Sequence, residues 1–183
     1  QATASINMNY YVESISFSSG SGYESVPDVY IQGNAEATAE LTDYGTIKRI
    51  VITEGGSGYE LPPLVIFNGS LSSLSGTAEL DQNGSITGVV IDNYDPEVIY
   101  GIDGDITFEK NPAQEEEPQI PATATVIFGR YIKNIEMISR GSNYLGNVDY
   151  TSYTMGGNPT EPAELSPILN YEMTASLTNP GNA

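Results

Sequence analysis

The sequence predicts an all-β chain built as an array of about four degenerate repeats. Each repeat comprises roughly three short antiparallel strands, arranged as a rod-like stack or a closed ring or prism. Three observations predict this. Ser19-Gly20-Ser21-Gly22-Tyr23 followed by Pro27-Asp28-Val29-Tyr30-Ile31 recurs as Gly55-Gly56-Ser57-Gly58-Tyr59 followed by Pro63-Leu64-Val65-Ile66-Phe67, and a phrase repeated at such a period marks one supersecondary unit used again. A Thr-Ala pair occurs five times, beginning at Thr3, Thr38, Thr77, Thr123 and Thr174, positions that differ by 35, 39, 46 and 51. Pro and Gly punctuate the chain, and no window of helical length carries apolar residues at 3.6 spacing.

Between Thr-Ala pairs the same order of events recurs. A turn signal comes first: Asp43-Tyr44-Gly45, Gln82-Asn83-Gly84 and Phe128-Gly129-Arg130. Asn83-Gly84 is the strongest, because both central positions of a type I′ hairpin turn need positive φ. A strand-like run follows: residues 47–52, 86–91 and 132–138, with 11–17 in the same slot. Next comes the Gly-rich turn closed by Tyr, in which Gly22 and Gly58 are expected at positive φ. Val26-Pro27 and Pro62-Pro63 then open the next strand, where a missing N–H costs least. Small and polar residues alternate over 35–41, predicting one wet face. The contiguous β-branched runs 50–52 and 89–91 predict burial on both faces. The third and fourth copies are decayed: Asn93-Tyr94-Asp95-Pro96 replaces the turn in one, and only Ser142-Asn143-Tyr144 survives in the other. The expected organisation is two well-matched repeats in 1–91, two decayed repeats in 92–177 with an acidic loop inserted at 109–119, and a C-terminal tail at 178–183. Residues 156–162 read as a second inserted loop. Five Thr-Ala strands bound four units, so the first (2–6) or the last (173–177) is expected to pair outside its own unit, with the opposite chain end or another subunit. The chain opens on Gln1 inside one such strand and closes just after another, as expected of a segment from a longer protein.

Composition restricts function. Six Lys and Arg against 24 Asp and Glu give a net charge of −18. That argues against nucleic acid, which demands a positive footprint, and against an anionic membrane surface. No apolar run approaches the roughly 20 residues that span a bilayer. His, Cys and Trp are absent, which removes the commonest general base and the thiol nucleophile. A carboxylate pair could still hydrolyse a glycoside, but no feature singles one out, so no catalytic residues and no organic cofactor are expected. Lack of cysteine suits a protein that persists outside a cell.

Three groups of residues invite functional readings. Asp92, Asp95, Asp103 and Asp105 crowd one part of the third unit beside Gly101 and Gly104. Carboxylates spaced through a turn can supply several calcium oxygens, although the spacing is not that of an EF-hand and a solvated acidic turn explains it as well. Tyr23, Tyr59 and Tyr144 invite sugar stacking. A Tyr closing a Gly turn more simply packs over it and bonds neighbouring backbone, which makes Gly22, Tyr23, Gly58, Tyr59 and Gly84 structural turn residues. Tyr10, Tyr11, Tyr150 and Tyr153 lie outside the motif and suit an interface. Glu115, Glu116 and Glu117, between Pro112 and Pro118, read as a solvated loop.

The unit Gly-Gly-Ser-Gly-Tyr-x-x-x-Pro-x-Val-x-Ile at 55–69, with 20–33 next, resembles repeats of structural proteins of tailed bacteriophages, especially large virion proteins of phages of marine cyanobacteria. The likeness covers residues 1–91 well and 92–177 as decayed copies. Similar repeats also occur in bacterial surface proteins. The resemblance implies a virion location in a tail, neck fibre or capsid decoration, and implies no catalytic residues. The expectation is a non-enzymatic structural protein of an extracellular particle. Its partners would be other virion or fibre proteins and further copies of itself. The competing readings are a glycan-binding adhesin module and a subunit of a cell-surface filament.

Overall fold

The structure, a computed structural model, describes residues 3–178. Of the expected C-terminal tail, residues 179–183 lie outside the described residues, as do residues 1 and 2. The strands in chain order are β1 (Thr3–Phe17), β2 (Asp28–Ile31), β3 (Glu36–Glu54), β4 (Leu64–Phe67), β5 (Gly76–Leu80), β6 (Ile86–Ile91), β7 (Tyr100–Gly101), β8 (Ile106–Glu109), β9 (Thr123–Ser139), β10 (Ser152–Met155) and β11 (Leu165–Thr178). The only helix among the described residues is a single 3-10 turn at Gly69–Leu71. The fold is all-β, with antiparallel sheets that remain open.

The strands are not uniformly short. β1, β3, β9 and β11 run 14 to 19 residues, and β3 and β9 are long because two of the three expected turns are not turns. Asp43-Tyr44-Gly45 and Phe128-Gly129-Arg130 lie inside continuous strands, at the irregular midpoint of the β3/β9 ribbon, where pairing jumps from Leu41↔Ile132 to Gly45↔Arg130. Neither glycine there has positive φ. Both serve close approach: a Cβ on Gly45 would sit 2.4 Å from Gly129 O, and one on Gly129 would sit 2.8 Å from Gly22 Cα. Only Asn83-Gly84 closes a hairpin, between β5 and β6; Gly84 lies at φ 73° but Asn83 does not take positive φ, so the turn is not type I′.

Two long antiparallel ribbons organise the molecule: β3 with β9, and β1 with β11. The second joins the two ends of the described chain, with Ala4 opposite Leu177 and Ile6 opposite Ala175, so the leftover end strands pair with each other. The fifth Thr-Ala is also out of phase with the rest. It lies past the middle of β11, whereas the pair just before that strand is Pro162-Ala163, matching Pro121-Ala122 before β9 and Asn34-Ala35 before β3.

The β3/β9 ribbon is divided at its midpoint between two cores, and the β1/β11 ribbon contributes its inner half to one of them. In the first core the inner half of β1/β11 (Val12, Ile15, Phe17, Leu165, Leu169) faces residues of β3 and β9 (Ala37, Ala39, Leu41, Ile132, Ile135, Met137). In the second the other half of β3/β9 (Ile47, Ile50, Val126, Phe128) faces the β5/β6 ribbon (Val89, Ile91) and the lateral strands (Phe67, Ile106). Lateral strands complete each core in the same way: β2 pairs with β10, and β4 pairs with β8. Asp28↔Thr38 and Leu64↔Thr77 are matching bridges from the residue after each entry proline to a Thr-Ala strand. In space, therefore, the first unit is partnered with the fourth and the second with the third.

Alternation over 35–41 produces the expected wet face. The runs 50–52 and 89–91 also alternate, leaving Val51 and Val90 exposed. A ribbon in this fold has a covered face on one side only, so β-branched residues on the other side remain in water.

Candidate functional site

The repeated Gly-x-x-Tyr turn is a clamp, and it occurs three times with the same bonds. Its first glycine (Gly20, Gly56, Gly141) and its third residue (Gly22, Gly58, Asn143) all lie at positive φ, between 57° and 83°. At the first position a Cβ would come within 2.7 to 2.9 Å of the backbone nitrogen of Ala163, Ala122 or Ala35. Those same N–H groups donate to the hydroxyl oxygens of Tyr23, Tyr59 and Tyr144, at 2.8, 2.9 and 2.9 Å. Each tyrosine is buried, so it satisfies a buried strand-start N–H that has few other partners. None of the three can stack on a sugar.

The backbone of each clamp grips another ribbon, at its midpoint for the Tyr23 and Tyr144 clamps and at the hairpin end of β5/β6 for the Tyr59 clamp. The Tyr N–H donates to the carbonyl of Arg130, Gly84 or Tyr10, and the residue before the first glycine (Ser19, Gly55, Arg140) accepts from Ile132, Ile86 or Val12. One pair is reciprocal: the clamp after β1 holds β9, and the clamp after β9 holds β1. The second core repeats the exchange imperfectly. Tyr59, after β3, holds the start of β6. The segment after β6 returns to β3 without a Gly-x-x-Tyr turn: Tyr94 hydroxyl donates to Ile47 O at 2.7 Å, and β7 pairs Tyr100 with Gly45. Sequence decay at 93–96 therefore marks a changed way of closing the same junction.

One clamp gathers half of the basic residues. Arg49 holds both carboxylate oxygens of Glu24, with Nη2–Oε2 at 2.7 Å, and Lys48 lies 3.1 Å from Oε1. Arg130 donates to the Glu24 carbonyl. Three of the six basic residues thus converge on one turn. Bonding from Arg49 first, then Lys48 and Asn158, holds the Glu24 carboxyl at about 2, well below the usual range. Asn158 belongs to the 156–162 segment, which is no idle insertion: Glu24 N–H donates to Gly157 O, and Thr160 and Glu161 N–H donate to Ser21 O. Sequence reasoning missed this cluster, since nothing in the spacing of residues 24, 48, 49 and 130 connects them.

The other candidates separate. Asp92, Asp95, Asp103 and Asp105 are all exposed. Asp95 Oδ1 accepts from Glu97 N–H within its own turn. Among the described residues no three acidic side chains are grouped to hold a metal ion. Glu115, Glu116 and Glu117 are exposed, but their loop is anchored by a buried neighbour, Gln114. Its Nε2 donates to Gly58 O and Glu116 O, and its Oε1 accepts from Glu60 N–H. This loop and the Asn83-Gly84 hairpin border a cleft of about 700 Å³ lined by Glu60, Asp81, Glu116 and Glu117. Of the tyrosines assigned to an interface, Tyr150 packs edge-on against Tyr144, and Tyr11 lies under Arg140. Tyr153 is exposed, with its ring 4.8 Å from that of Tyr30 across β2/β10. Tyr10 pairs with Tyr171 where the β1/β11 ribbon leaves the first core.

No helix of the described residues is long and apolar enough to cross a membrane. The chain matches no known protein family, and no curated protein or solved structure is similar to it at a significant level.

Proposed function

We propose that the chain is a non-enzymatic structural component of an extracellular particle, and that this particle is a tailed-phage virion in which it serves as a tail, neck-fibre or capsid-decoration part. The observation that carries this reading is the use made of the repeated motif. Each Gly-x-x-Tyr turn ties a strand start to a separate ribbon, and its tyrosine is buried in doing so. The conspicuous residues of the sequence are thus committed to joining segments, which suits a part whose work is mechanical. The acidic surface suits a repetitive β protein that must avoid edge-to-edge pairing. The test is mass spectrometry of washed particles from the organism that encodes the chain, with antibody labelling of intact particles. Stoichiometric peptides and surface label are expected. Recovery of the chain only as free protein would sink the reading.

One observation favours a second reading, a glycan-binding module: the exposed Tyr30–Tyr153 pair offers aromatic faces on a rigid strand pair. A glycan array separates the two. Binding that Tyr30→Ala abolishes would support the adhesin, and an array without signal would remove it.

A further inference from the structure

The two ribbons differ in one respect that points outward. Beyond Tyr10 and Asn170, β1 and β11 continue as a two-stranded ribbon that neither core covers. Its two faces differ in chemistry. Ile6, Met8 and Tyr10 lie opposite Ala175, Met173 and Tyr171, and alternation places all six on the face that continues Val12 and Leu169 of the first core. The other face carries Ser5, Asn7, Asn9, Glu172, Thr174 and Ser176, with Ser5 Oγ and Ser176 Oγ bonded at 2.8 Å. Ile6 is 70% exposed and Met173 63%. An amphipathic ribbon this regular is built to be covered on one side.

The interior of the molecule shows what covers such a face. In the first core one apolar ribbon half lies against another, and each sends its clamp to the other's midpoint, an exchange with the symmetry of a two-fold axis. We infer that the outer β1/β11 ribbon is a self-association face, and that its partner is the same ribbon of a second copy of this chain, related by a true two-fold axis. Two identical halves would then form a third core of the kind the chain already builds once within itself. An isologous contact requires a self-complementary patch, and this face supplies one, apolar throughout. Charge favours the same place: in a chain of net charge −18, Glu172 is the one charged residue among 5–10 and 170–176, and it lies on the opposite face. The inference goes beyond the virion reading and holds for a free protein as well.

Sedimentation equilibrium of the chain tests it. A dimer is expected, strengthened by salt because screening reduces repulsion between two acidic bodies. Ile6→Asp with Met173→Asp should raise the dissociation constant at least tenfold and leave the circular dichroism and melting of the monomer intact. The chain has no cysteine, so a single introduced thiol reports geometry. Met8→Cys should cross-link two copies under mild oxidation, and Asn7→Cys, on the polar face, should not. A chain that stays monomeric at millimolar concentration overturns the inference. So does a dimer that survives both aspartates, or one that cross-links equally from Asn7→Cys, which would indicate edge pairing.

Discussion

The β3/β9 ribbon is covered at both ends and the β1/β11 ribbon at only one, though both have the same alternation. Along β3/β9, each half meets a second apolar layer; the Tyr23 clamp holds the midpoint of β9, and Tyr94 with β7 holds that of β3. Along β1/β11, one clamp, that of Tyr144, holds Tyr10 and Val12, and past this point the apolar residues lie in water. Pattern alone therefore makes a ribbon, but a core needs a second layer, and the clamp marks where that layer begins.

Replacing a clamp tyrosine should break the covered ribbon most severely. Tyr23 is fully buried between the two ribbons. Tyr23→Ala should cost about 3–5 kcal/mol, as for other buried aromatics cut to Ala. Tyr171→Ala, on the outer ribbon, should stay within about 0.5 kcal/mol at concentrations where the chain is monomeric. Chemical denaturation of both variants measures the contrast, and equal losses would show that the two halves are not different in kind. Tyr23→Phe isolates the hydroxyl. It leaves Ala163 N–H without its acceptor and Thr154 without its partner, which should cost about 1–3 kcal/mol for a buried group left unmade.

The third position of the clamp sharpens the comparison between units. Gly22→Val should cost more than about 1 kcal/mol, from the left-handed backbone alone. A Cβ there would also lie 2.7 Å from Thr160 N. Asn143 holds the same conformation at φ 64°, and Asn tolerates it through its short polar side chain. Asn143→Gly should therefore change the melting temperature little and Asn143→Ala should lower it. A harmless Asn143→Ala would show that the fourth clamp is not strained in the way the first is.

These contrasts mark how far the sequence could be read. The clamp was legible in it because both of its strained positions are short-range: Gly22, Gly58 and the closing tyrosines announce a turn within four residues. The strand class was legible from Pro, Gly and alternation. The partner of each clamp was not, because Tyr23 bonds Ala163, 140 residues away, and no local signal carries that distance. Gly45 and Gly129 misled for a related reason. Glycine serves turns and close approaches alike, and only the opposing strand decides which. The Thr-Ala at 174 misled because the pair suits either half of a ribbon. Gln114 passed unnoticed since a polar residue in a polar loop looks solvated until its two bonded carbonyls are seen.

The Glu24 cluster predicts a pH effect confined to the clamp that joins both ribbons. Its carboxyl is held down to about 2 from an ordinary value of 4.5. A depressed folded value means the charged form is favoured by folding, so its contribution is complete above about pH 4.5 and is lost as the pH falls towards 2. The difference in melting temperature between the protein and Glu24→Gln should be constant near neutrality and shrink across that acid window. A difference that grows on acidification, or that changes only above pH 5, would contradict the assignment.

The smallest effect is expected where charge is densest. Glu115, Glu116 and Glu117 are consecutive, exposed and part of a chain already strongly acidic. Among the described residues their one ionic contact is Glu117 with Lys110 at 3.4 Å, and the carboxylate is 76% exposed, a kind of pair that contributes between nothing and about 1 kcal/mol. The loop's position depends instead on Gln114, whose amide holds Gly58, Glu60 and Glu116 backbone at the Tyr59 clamp. Exchanging all three glutamates for glutamine removes charge without touching that anchor, so stability should move by no more than about 0.5 kcal/mol. If the loop instead docks on a basic patch of a neighbouring protein in the particle, the same triple variant should leave the isolated chain unchanged and abolish its incorporation. A thermal melt and an assembly assay on one preparation separate the two outcomes. A large loss of stability in the isolated chain would contradict both, because it would mean the carboxylates hold the clamp and Gln114 does not.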